Sequence, residues 1–124
     1  MKIKIGTRKI LIIVITIVLL IAMSIFISIE KFNTPNPISS GTGVMKIIFT
    51  QTEIVKIREH PAVFLAKPDS GQQTLIDFME QEGYHYLEDE RMSSTLVFEN
   101  DVNRRYVEFS VNAYYSKWIF RGNL

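Results

Sequence analysis

Residues 10–29 read ILIIVITIVLLIAMSIFISI, 20 positions without a charge, a proline or a glycine. At 1.5 Å rise per residue a helix of this length covers roughly 30 Å, the thickness of a bilayer's hydrocarbon core, so the block predicts one transmembrane helix. Ile, Leu, Val and Phe fill 15 of its positions, and at about 0.4 kcal/mol each they favour insertion by about 6 kcal/mol. Thr16, Ser24 and Ser28 do not offset this, because helix hydroxyls bond back to the preceding turn. The competing reading is a cleaved secretory signal with Ala22-Met23-Ser24 as its small-x-small site. Signal cores span about 7–15 apolar residues, whereas here the apolar run continues for five positions beyond that site, so a retained anchor is expected.

The flanks orient the block. Lys2, Lys4, Arg8 and Lys9 precede it with four positive charges, while Glu30 and Lys31 cancel on the far side. Positive charge stays in the cytoplasm, so residues 1–9 are expected as a basic cytoplasmic segment, 10–29 as the span, 30–43 as a flexible linker and 44–124 as an extracytoplasmic domain at the cell membrane. From Phe32 onward nine basic residues oppose twelve acidic ones, a balance of −3 within the net +1 of the whole 124-residue chain. An acidic domain repels phosphate backbones, and nucleic acid is excluded as a partner. The chain holds no cysteine, which removes disulfides, thiol nucleophiles, Cys-bound zinc and a lipidated cysteine together.

In chain order, FNTPNPISSGTG (32–43) mixes Pro35, Pro37, Gly41 and Gly43 with small polar residues and reads as an extended stalk. VMKIIFTQTEIVKI (44–57) is β-branched and alternating, with Met45, Ile47 and Phe49 on one side, and reads as a strand broken near Gln51. His60-Pro61 interrupts it and Ala62 to Lys67 forms a second strand. After the Pro68-Asp69-Ser70-Gly71 turn, where Asp69 or Ser70 offers a cap, a helix runs to Glu82 with Leu75, Ile76, Phe78 and Met79 inward and Gly83 as its left-handed stop. Strands follow at Tyr84 to Glu88, Thr95 to Glu99, Arg104 to Ala113 and Tyr115 to Arg121. Leu96, Phe98, Val107, Phe109 and Val111 line the inner face, which Trp118 and Phe120 close. The expected fold is α+β: an N-terminal transmembrane helix, then a mainly antiparallel sheet of four to six strands with one helix on one face.

No catalytic constellation emerges. His60 beside Glu59 reads as a turn residue; Glu82-x-x-His85 matches a metal string of helical bundles, but Gly83 breaks the helix that would align the pair. Glu88-Asp89-Glu90 lacks the alternate spacing and bend glycine of a calcium loop and reads as a solvated turn. No cofactor and no enzyme activity are expected. The aromatic residues belong mostly to core and cross-strand pairs. The alternative is an exposed platform for a peptide, glycan or protein, made of Arg104, Tyr106, Tyr115 and Arg121, with an edge strand near Trp118 open to a partner chain.

Gly83-Tyr84-His85-Tyr86, Arg91 to Glu99 (RMSSTLVFE) and Tyr114 to Ile119 (YYSKWI) resemble the small uncharacterised single-pass proteins of Bacillus-like Gram-positive bacteria. The resemblance implies architecture alone: a basic start, one span, a short stalk and a helix-plus-hairpins domain. Where such proteins often carry glycine, this chain has Ser93-Ser94. The functional expectation is a non-enzymatic binding or accessory module at the outer membrane face, with the bilayer and a membrane or cell-envelope protein as partners. The alternative is an immunity-type factor or accessory subunit that acts on another membrane protein through its helix.

Overall fold

In the computed structural model, residues 6–69 and 71–121 are described; the capping candidate Ser70 and the basic residues Lys2 and Lys4 lie outside them. The apolar block forms α1 (Thr7–Phe32), a helix long and apolar enough to cross a membrane, with the side chains of 10–27 exposed along its whole length. It overruns the expected 10–29 at both ends and stops at Asn33, whose φ of 53° places it in the left-handed region that asparagine tolerates.

The flexible linker and the strand expected from Val44 are both overturned. Pro37–Phe49 is a second helix, α2. Its start follows from chemistry at the boundary: the Asn36 Oδ1 accepts from the amides of Ile38 (3.0 Å) and Ser39 (3.3 Å), and Pro37, which has no amide to satisfy, occupies the first turn. The apparent two-residue alternation of Met45, Ile47 and Phe49 loses to a helical one. Ser40, Gly43 and Ile47 share one face and are buried.

The remaining elements match the expected order. β1 (Ile54–Arg58) and β2 (Val63–Ala66) form a hairpin; α3 (Gly71–Gln81) crosses over; β3 (His85–Tyr86), β4 (Thr95–Glu99), β5 (Arg104–Val111) and β6 (Ser116–Arg121) complete the sheet. β3 is shorter than the sequence implies, and a 3-10 turn over Glu88–Glu90 takes up the difference. All pairings are antiparallel in the order β1-β2-β6-β5-β4-β3. The last strand therefore lies in the middle of the sheet and joins the β1–β2 hairpin to the β3–β4–β5 meander.

Two apolar layers flank the sheet. On one face α3 lays Leu75 and Met79 against Ala66, Leu96, Phe98, Val107, Phe109 and Trp118, with Phe64 stacked near Phe78 and Phe120 at 5.3 Å each. Gly83, at φ +88°, ends α3 as expected, and the Tyr84 amide reaches back 2.8 Å to the Met79 carbonyl. On the other face α2 covers only the β1–β2–β6 half, packing Ile47 on Ile57, Val63, Leu65 and Ile119. Close approach explains Gly43: a β-carbon there would stand 2.5 Å from the Ile57 Cγ2. The expectation of one helix on one face thus gives way to a helix on each.

Candidate functional site

The most specific polar chemistry among the described residues lies where α1 meets the sheet. The Ser28 hydroxyl, one turn before the end of α1, is buried against the Ser40 hydroxyl of α2 (2.7 Å) and the Thr34 carbonyl. Thr34 is buried in the four-residue turn between the two helices. The last carbonyls of a helix lack intrahelical donors, and here the sheet supplies them from three cations. The Lys117 Nζ on β6 donates to the Lys31 carbonyl (2.8 Å) and the Asn33 Oδ1 (3.0 Å), and the Arg58 Nη1 on β1 donates to the Asn33 carbonyl (2.7 Å). At the far end of α2 the Lys67 Nζ, just past β2, donates to the carbonyls of Ile47 (2.8 Å) and Thr50 (2.9 Å). Positive charge at a helix C-terminus also complements its dipole. Phe32 stacks on Tyr115 at 5.4 Å and completes the junction.

Half-burial pushes the Lys117 ammonium below its ordinary value, with Arg121 and Lys31 acting in the same direction and Glu108 against it. Sequence reasoning missed this cluster. Arg58 on β1, Lys67 just past β2 and Lys117 on β6 have no spacing in the chain to group them, and only the sheet register and the hidden helix α2 bring them to helix ends.

The four platform residues and Trp118, expected together as a partner surface, do not form one surface. Trp118, 0 % exposed, is the centre of the core between Phe64 and Phe78, as its role in closing the inner face required, and its buried indole N–H has no hydrogen-bond partner among the described residues. Its strand is central, so no edge is open there for a partner chain. Tyr115 is half-buried beneath Phe32. Arg104, Tyr106 and Arg121 do share the half of the sheet that α2 leaves uncovered, with Tyr106 opposite Arg121 in the β5–β6 register. Both arginines are engaged: Arg104 with Glu90 (2.8 Å) and Glu99 (3.5 Å), Arg121 with Glu108. A Tyr106 hydrogen bond and the Glu90 and Glu99 carboxylates hold the Arg104 guanidinium above its ordinary value.

A groove of about 560 Å³ opens on the α3 side, floored by Phe64, Phe78 and Phe120 and rimmed by Glu59, His60, Glu82 and Arg105. His60 follows β1 in the turn and His85 lies on β3 opposite Glu99, so the two histidines sit on different elements. Lys56, 2.9 Å away, lowers the Glu59 carboxyl by hydrogen bond and charge. Among the described residues no group of three or more His, Asp or Glu side chains is placed to hold a metal ion. Glu88, Asp89 and Glu90 form an exposed turn tied to Arg104 through Glu90.

Compared with protein-family models, curated proteins and solved structures, the chain matches none.

Proposed function

We propose that this chain is a single-pass membrane protein, N-terminus in the cytoplasm, whose exported domain is a non-enzymatic binding or accessory module acting at the outer face of the membrane as one piece with its helix. The observation that carries this reading is the junction. Ser28, Phe32 and the carbonyls of Lys31 and Asn33 are all engaged by α2 or the sheet, so the end of α1 belongs to the domain's own structure. A helix that served as a removable leader has no use for such contacts. Basic residues before the span and an acidic domain after it support the orientation. The uncovered sheet half around Arg104, Tyr106 and Arg121, apart from the helices, is the surface offered to a protein partner.

The test is site-specific photo-crosslinking in native membranes, with the probe at Tyr106 in the sheet or Val18 in the helix. Adducts from Tyr106 to one membrane or envelope protein support the module. Adducts from Val18 alone sink it in favour of the second reading, an immunity-type or accessory subunit acting through α1. The junction's direct contacts favour that second reading more than a flexible stalk would. A reporter active only outside the cell, fused after Leu124, is expected to be active; silence there reverses the orientation.

A further inference from the structure

The side of α2 turned away from the sheet is apolar and uncovered. Ile38 is 78 % exposed, Met45 57 %, Ile48 41 % and Phe49 72 %. At 100° per residue Ile38, Met45 and Phe49 fall within about 40° of one line along the helix, opposite the buried Ser40, Gly43 and Ile47. Such a stripe on a water-facing helix calls for a cover. Its depth relative to α1 is fixed, because the Ser28–Ser40 hydrogen bond holds the first turn of α2 level with the last residues of the apolar block. The last turn of α1 and the residue after it engage the sheet on the face that α2 also covers. The stripe therefore faces outward on the same side of the sheet that the end of α1 touches. Lys46 flanks it, at the position of a residue that meets headgroup phosphates.

We infer that α2 is an interfacial helix, its Ile38, Met45, Ile48 and Phe49 seated in the outer boundary layer of the bilayer that α1 spans. The inference rests on α1 being that span. It makes the domain lie against the membrane with the α3 groove facing away from it.

Because the chain has no cysteine, single thiols can be placed in the full-length protein at Ile38, Met45, Phe49, Leu19 and Met92 and labelled with an environment-sensitive nitrobenzoxadiazole dye. The protein is reconstituted in phosphatidylethanolamine–phosphatidylglycerol vesicles carrying lipids spin-labelled near the headgroup or deep in the chain. Labels at 38, 45 and 49 are expected to shift to the blue and be quenched from the headgroup level, that at 19 from the deep position, and that at 92 to be quenched only by aqueous iodide. Deep quenching at 19 with iodide-accessible labels at 38, 45 and 49 overturns the interfacial helix and leaves the span standing. Blue-shifted labels on α2 that no lipid quencher reaches show a protein cover and overturn it too. Failure at 19 removes the span, and the inference with it.

Discussion

Replacing Gly43 by alanine tests whether α2 lies on the sheet, because two opposing terms act at that position and only one acts two residues away. Alanine is favoured over glycine inside a helix by about 1 kcal/mol. At Gly41, where nothing lies within 4 Å, that gain stands alone and Gly41→Ala is expected to stabilise the domain by up to about 1 kcal/mol. At Gly43 the new methyl would stand 2.5 Å from the Ile57 Cγ2 and 3.4 Å from the Leu65 Cδ1. Ile57 and Leu65 are themselves buried, and β-branched Ile57 has little rotamer freedom with which to yield. Overpacking of this kind costs about 1–3 kcal/mol. The propensity gain is common to both variants, so their difference isolates the overlap: Gly43→Ala is expected to fall below Gly41→Ala by about 1–3 kcal/mol, or roughly 4–24 °C in Tm for a domain of this size. Thermal unfolding of the full chain in detergent micelles reads this directly, since the sole tryptophan, Trp118, is buried in the core and reports its loss. Ile57→Leu removes the Cγ2 branch, so the double variant is expected to cost less than the two single changes summed. Equal stabilisation by both alanines refutes the packing of α2 on β1, and with it the junction.

Other expected outcomes rest on separate features. Ser93 holds φ 53° in the turn before β4, so Ser93→Gly is expected to raise stability by about 0.5–1 kcal/mol in chemical denaturation; a loss means the turn has another geometry. Lys117→Met leaves the Lys31 carbonyl and the Asn33 amide oxygen without their donor and is expected to cost about 1–2 kcal/mol, the site being half exposed. For Lys117 itself the folded state releases its proton before the unfolded state does. Its burial penalty is therefore in full force below the lowered folded value and is relieved as pH rises toward the ordinary 10.5. Carbon-13 NMR of the lysine ε-carbons should show one resonance titrating below that ordinary value and absent from Lys117→Met. Leu65→Ala, deep between α2 and the sheet, is expected to cost about 2–5 kcal/mol by the same unfolding assay.

The helix α3, five of the six strands close to their limits, and the inner-face residues Leu96, Phe98, Val107, Phe109 and Trp118 were legible, because long periodic runs and Asn or Gly punctuation marked them. Residues 32–49 were misread for a physical reason. Proline and glycine signal loops on average, yet here Pro37 begins a helix after Asn36, and Gly43 is small to let that helix touch β1. Runs such as KIIF fit either a helical or a two-residue period until length decides between them. Of the proposed platform, Tyr106 and the two arginines lie on one open surface, while Trp118 and Tyr115 are taken by packing that no local pattern encodes. The cationic caps were illegible because each depends on a contact 17 or more residues away in the chain.

The central position of β6 has a consequence in time. Lys117, which completes the end of the first helix, is 86 residues further along than the carbonyl it meets, and its strand alone bridges the two halves of the sheet. At a synthesis rate of about 5–20 residues per second, roughly 4–17 s pass between the emergence of Lys31 and that of Lys117. During that interval the hairpin and the meander have no shared strand, and the helix end is hydrated. The strand β6 is thus the fastener: the domain closes on its helix only once residues 116–121 have emerged, and a chain stopped before residue 116 has two unpaired sheet edges for other proteins to find.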